Sequence, residues 1–372
     1  MFMISLERSF GIEIAPLVSK IFILAAVFSL LFSGKLIEGN LLISIAVVAM
    51  VLISAIATEY VYFEWSVVFF SLNQIITLFL FFSIVPSFVQ MLNVLKLIAW
   101  APVFSILVGV VYQLIGVGSL FGIDGVTDAS RLQGSTIPAF LAGIALSAAF
   151  SSIIIYYCHS RNYIFLLLFN FAVILLTAAR MPIVLCAILL ALSFVLLDRG
   201  GFNKKFLYSV LFVGLCGIFL AFFGEAILVR FGSDSSSGRD VLWEYFSGLI
   251  SDYWGFGIGF GHSIYSVPPQ VSVLVGGSSA AHNEYIRIAV EIGVTQAIAF
   301  YCLLIFTFVV AGSLVFGRSR LIYYFGCLLF MVFCYTDNAM ATPVDYILVL
   351  VSFYGAMIAS STHSLIDLES HN

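Results

Sequence analysis

Three residues of this 372-residue chain pair reactive side chains with local sequence that would hold them in place. They are Arg180 in LLTAARMPIVL, Arg239 in SSGRDVLW and His282 in SSAAHNEY. A guanidinium grips phosphate oxygens through a planar fork and keeps its charge beside lipid. An imidazole exchanges a proton near neutral pH. Arg180 is followed by Pro182, which lacks a donor and clashes with the preceding turn, so it sits at a break between two apolar segments. Arg239 opens a short amphipathic helix, Arg239 to Leu249, after the N-cap candidates Ser235 to Ser237; free N–H groups there suit an anion. The plainer readings are an arginine snorkelling at the interface, an Arg239 pair with Asp240 or Glu244, and a structural loop histidine.

Arg131, Arg230 and Arg287 join Arg180 and Arg239 as candidates for holding a phosphate-bearing ligand, with Asn283 and Glu291 beside the histidine as further contacts. Arg287 also has the spacing to pair with Glu284 (i−3) or Glu291 (i+4). His262, Asp252 and Glu244 are weaker acid–base candidates. GFGIGFG at 255–261 fails the dinucleotide fingerprint and suits an extended segment with close backbone approach. The cysteines lie in apolar runs without CxxC pairing, so no zinc site or disulfide framework is expected.

The elements that must position these residues are membrane helices. The chain is 62% hydrophobic and 9% charged, with a mean hydropathy of +1.16. Soluble domains carry roughly 25% charged residues, so lipid is the solvent. Apolar runs of helical length predict an all-α polytopic integral membrane protein of about 11 (10–12) transmembrane helices. The expected spans are 15–33, 41–58, 66–85, 97–118, 137–157, 163–180, 182–197, 206–223, 290–316, 321–336 and 344–360. Residues 86–100 read as a surface or re-entrant helix. The organisation is residues 1–223 as N-terminal helices, 224–285 as one large polar loop containing short helices, and 286–372 as C-terminal helices with a short tail. In the short helix after Arg239, Leu242, Trp243, Phe246 and Leu249–Ile250 would form an apolar face lying on the membrane.

Lysine and arginine in alternate short loops assign those bearing Lys35, Lys96, Arg161, Lys204, Lys205, Arg318 and Arg320 to the cytoplasm. The large loop, Ser119–Thr136, the Arg180 turn and Asp337–Pro343 then share the outer face. The outward cations (Arg131, Arg180, Arg230, Arg239 and Arg287) are all arginine, against the positive-inside trend.

The ordered motifs resemble the bacterial O-antigen ligase and polymerase (Wzy-type) superfamily of membrane glycosyltransferases. They are R-L-x-G then Pro (131–138), T-A-A-R (177–180), S-G-R-D-x-x-W (237–243), G-x-G-x-G (255–259) and H-N-x9-G (282–293). The resemblance implies a bacterial inner-membrane enzyme with a periplasmic large loop that transfers glycan from undecaprenyl diphosphate with no metal and no cofactor. By motif, Arg180 and Arg239 resemble diphosphate-binding arginines, and His282 resembles an acceptor-activating base. The implied partners are an undecaprenyl-diphosphate-linked oligosaccharide, membrane lipids and a chain-length regulator, with no nucleic acid. The ligase pattern continues to a second glycine where this chain has Gln296, and proline-asparagine is replaced by Pro138-Ala139. These departures tilt the expectation toward a repeat-unit polymerase, with the ligase as the alternative and a lipid-linked-oligosaccharide flippase as a third reading.

Overall fold

The computed structural model describes residues 34–123, 130–197, 239–275, 277–341 and 343–370. Two short two-stranded sheets and thirteen helices lie within these residues. In chain order they are β1 (Lys35–Leu36), α1 (Glu38–Ala57), α2 (Trp65–Phe81), β2 (Ile84–Val85), α3 (Phe88–Leu114), β3 (Phe121–Ile123), β4 (Ser130–Leu132), α4 (Pro138–Cys158), α5 (Tyr163–Leu176) and α6 (Arg180–Leu197). After the gap come α7 (Arg239–Asp252), α8 (Ser263–Ser266), α9 (Pro269–Leu274), α10 (Glu284–Ile292), α11 (Val294–Gly312), α12 (Ser319–Thr336) and α13 (Pro343–Ser370). β1 pairs antiparallel with β2, and β3 with β4.

Of the expected spans, 15–33 and 206–223 lie outside the described residues, as does Arg230. The others coincide with α1 to α6 and α11 to α13. Six of these helices (α1, α3, α4, α6, α11 and α12) are long and apolar enough to cross a membrane; α2, α5 and the Tyr346–Ser361 part of α13 are shorter. Their outer faces carry large exposed apolar side chains, such as Leu42, Ile45, Ile53 and Ile56 on α1 and Phe104, Leu107 and Val111 on α3. An aqueous surface rarely tolerates apolar area on this scale, and lipid does.

Helix α4 is the hub. Its sequence PAFLAGIALSAAFSS is rich in Ala, Gly and Ser, 83% of its span window is buried, and α3, α5, α6 and α13 pack around it. Small residues let helix backbones approach closely, which is how membrane helices gain packing. Gly355 on α13 marks one such contact, where a Cβ would press on Ile154 of α4.

Residues 86–100 are not a separate surface helix. Ser87 and Gln90 form a reciprocal capping box, and the helix they start runs unbroken through Pro102 to Leu114. The cap satisfies the first free N–H groups, so the chain enters the long helix directly instead of pausing at the interface.

The polar insertion packs on itself. Leu242 and Phe246 of α7 are fully buried against Ile258, Val267, Val275, Ala281 and Val290. Part of the apolar face expected to lie on the membrane is therefore the core of the insertion: neighbouring segments cover Leu242 and Phe246 completely and Leu249 and Ile250 in part.

Candidate functional site

A cavity of about 560 Å³ opens where β4, the α5–α6 break, the first turn of α7, the segment before α10 and the segment after α12 converge. Arg131, Arg180, Arg239 and His282 all line it, with Asp240 and Asp337. Ala139, Met181, Pro182 and Phe333 give it an apolar wall. The connections grouped by charge alternation thus meet at one end of the bundle. Three guanidinium groups face two carboxylates, which leaves excess positive charge even with the histidine neutral.

Arg131 is placed by a close approach of backbone to helix. Gly134 has φ +58, and a Cβ on Gly109 of α3 would lie 2.5 Å from the Gly134 carbonyl carbon. Only glycine at both positions lets the Arg131–Gly134 strand end seat on α3. From there Arg131 Nε donates to the Thr177 carbonyl at 2.8 Å, tying β4 to the end of α5.

Arg180 is the first residue of α6. The chain leaves α5 through Ala178, which adopts φ +50, a left-handed cap position that glycine usually fills. Pro182 does not end α5, as its sequence position suggested. It lies in the first turn of α6, where its missing N–H would have had no partner. Arg180 is therefore carried on a rigid two-helix corner.

Arg239 begins α7, and the expected capping serines before it lie outside the described residues. Its Nη1 donates to the Thr336 carbonyl at 2.9 Å, so a cation sits at the C-terminus of α12. The remaining guanidinium edge borders the cavity. Trp243, one turn on, donates from Nε1 to Ala281 O at 2.8 Å and braces the residue before His282.

His282 adopts φ +47, a second non-glycine residue in the left-handed region beside the cavity. Its Nδ1 lies 3.2 Å from Oδ1 of Asp337, and both side chains are about one-third exposed. Asp337 also accepts from the Asn338 amide at 2.8 Å. Burial opposes the charge of Asp337, but the hydrogen bond and charge of His282, the Asn338 amide and the Arg239 guanidinium outweigh it. The carboxyl therefore lies below the usual carboxylate range. Sequence reasoning did not single out Asp337; the one signal was an acid in a short connection between two apolar helices.

Three expected ligand contacts (Arg287, Glu291 and Asn283) lie away from the cavity. Arg287 is 3% exposed; its Nε and Nη2 bond Glu284 at 2.8 and 2.6 Å, and its Nη1 bonds Glu291 at 2.8 Å. Burial works against its charge, but the two carboxylates outweigh that and raise its pKa. Glu291 accepts from Ser263 Oγ at 2.6 Å, and Glu284 from the Met340 amide at 3.1 Å. Asn283 caps α10 by accepting from the Tyr285 and Ile286 amides. None of the three lines the cavity. Arg287 and Asn283 bond within α10 and its cap, while Glu291 ties α10 to α8.

His262 is likewise structural. Its Nε2 accepts from the Glu64 amide at 2.9 Å, and its ring stacks on Phe63 at 5.1 Å. Asp252 and Glu244 are exposed on α7 and border a separate shallow groove. The glycine run does make close backbone approaches: Ile258 N and Gly259 N donate to the Val290 and Glu291 carbonyls, both at 2.9 Å. Among the described residues no cluster of three or more His, Cys, Asp or Glu side chains is arranged to hold a metal.

Residues 163–301 match the protein-family model described as O-antigen ligase. That stretch runs from α5 into α11 and contains Arg180, Arg239 and His282, while Arg131 and Asp337 fall outside it. The match agrees with the Wzy-type resemblance of the motif order: over this stretch the chain is similar to the O-antigen polymerase and ligase type, and its apolar helices are those of a membrane protein. The search of curated proteins returned no match.

Proposed function

We propose that this protein is a surface-polysaccharide repeat-unit polymerase, which transfers a glycan from undecaprenyl diphosphate to the terminal sugar of a lipid-linked acceptor. The observation that carries the reading is the convergence of Arg131, Arg180, Arg239 and the His282–Asp337 pair on one cavity. The arginines arrive from separate connections, so their meeting is a property of the fold and not of local sequence. Their charge excess and the first turns of α6 and α7 favour an anion the size of a diphosphate. The apolar wall suits the lipid end of the same molecule. The cavity would face the periplasm from a bacterial inner membrane.

In this reading Asp337 receives the Nδ1 proton of His282 in a hydrogen bond, which leaves Nε2 as the base. His282 takes the proton from an acceptor hydroxyl as its oxygen bonds to the anomeric carbon. The bond from that carbon to the diphosphate oxygen breaks, and the electron pair leaves on the phosphate. Arg180 and Arg239 stabilise the charge as it develops, with Arg131 beside them. One displacement inverts the anomeric configuration.

The family description favours a second reading, an O-antigen ligase that uses lipid A–core as acceptor. Purified protein supplied with lipid-linked repeat units alone separates the two. Chain extension supports the polymerase; transfer only after lipid A–core is added supports the ligase; neither product refutes both.

A further inference from the structure

The two nitrogens of His282 face different partners. Nδ1 is engaged by Asp337, which lines the arginine cavity, whereas Nε2 lies 3.3 Å from the hydroxyl of Ser278, which does not. Ser278 is held in turn by the Ala280 amide, which donates to its Oγ at 3.3 Å. Beside it, Gly277 is exposed, and a Cβ built there meets nothing within 4 Å. A general base needs the reacting hydroxyl oxygen within about 2.6–3.2 Å. Ser278 Oγ stands at the outer edge of that reach.

We infer that the acceptor sugar hydroxyl docks on the Ser278 side of His282, at the open surface beside Gly277, and displaces the Ser278 hydroxyl from Nε2. This rests on the glycosyl-transfer reading above and adds an acceptor subsite to it. In that reading the phosphate-bearing donor lies on the Arg180 and Arg239 side, within the cavity that Asp337 also lines. Ser278 acts as a placeholder that satisfies Nε2 until the acceptor arrives.

The test is a steady-state assay of purified protein with lipid-linked repeat units from the host strain as donor and a repeat-unit glycoside without diphosphate as acceptor, the two varied separately. Ser278→Val fills the position of the incoming oxygen and should raise the acceptor KM by about tenfold, the factor that one lost hydrogen bond sets, with the donor KM unchanged. Ser278→Ala removes the competing hydroxyl and should lower the acceptor KM. An acceptor KM unmoved by Ser278→Val, or a donor KM that rises equally, overturns the subsite while leaving the transferase reading intact. Loss of transfer in Ser278→Ala also overturns it, because Ser278 would then be a participant and not a placeholder. Should Ser278→Val fail to fold, the direction of the Ser278→Ala change decides alone. Wild-type protein that transfers nothing defeats the transferase reading itself.

Discussion

His282 and Asp337 are 55 residues apart in sequence, yet Nδ1 of one lies 3.2 Å from Oδ1 of the other. The segments that carry them are joined a second time through Glu284, two residues after the histidine, which accepts from the Met340 amide. The pair therefore depends on α10 and the α12–α13 connection staying in register.

Asp337→Asn should keep the fold but weaken the orientation of His282 and the tautomer it fixes. Turnover should fall by roughly 10²–10⁴, the range of a general-base contribution, with donor KM nearly constant. Initial-rate measurements at saturating donor check this; unchanged turnover would remove Asp337 from the account.

The charge of Asp337 also sets an acid limit. Its carboxyl lies below the ordinary range in the folded protein, so its stabilising contribution is complete above the unfolded value of about 3.9 and is lost as pH falls through the lower folded value. In thermal unfolding in detergent, the gap between wild type and Asp337→Asn should close as the pH falls below about 3.9; a gap that persists in stronger acid would contradict this.

Arg287→Ala should act on folding and not on the donor. Removing it strands two buried carboxylates, a change that costs about 3–5 kcal/mol. Arg287→Lys should rescue poorly, because one ammonium cannot replace three fork contacts. The yield of folded protein in membranes measures this; well-folded Arg287→Ala with weakened donor binding would restore the role that burial denies it.

Gly257 should resist substitution. It has φ +69, and a Cβ would lie 2.5 Å from the Val290 carbonyl oxygen. Gly257→Ala combines a backbone cost of about 1–2 kcal/mol with a clash against backbone that cannot yield. Gly277→Ala, at φ +84 in open space, carries the backbone cost alone. A larger loss of thermal stability for Gly257→Ala is expected; equal losses would contradict the packing.

Much of the helical framework was legible because apolar runs of span length have few alternatives in lipid. The ends were less so. The first turns of α3 were read as a surface or re-entrant helix, although Ser87 and Gln90, three residues apart, have the spacing of a helix start. The meeting of Arg180, Arg239 and His282 followed from alternating loop charge and motif order. Arg287 shows the limit: its i−3 and i+4 partners were visible, but the burial that makes those pairs binding is a tertiary property. Leu242 and Phe246 failed for the same reason, since amphipathicity says a face is covered and not by what. Asp337 was hidden because a single acid in a short loop has no periodicity or motif to mark it.

The central claim is that Arg180 and Arg239 hold a diphosphate while His282 acts on the acceptor. Equilibrium binding of a fluorescent polyprenyl diphosphate to detergent-purified protein tests it most directly. Arg180→Ala and Arg239→Ala should each weaken binding by about 10–100-fold, the worth of a charged hydrogen bond, whereas His282→Ala should bind as wild type and transfer nothing. Arginine variants that bind the lipid diphosphate as tightly as wild type would contradict the account.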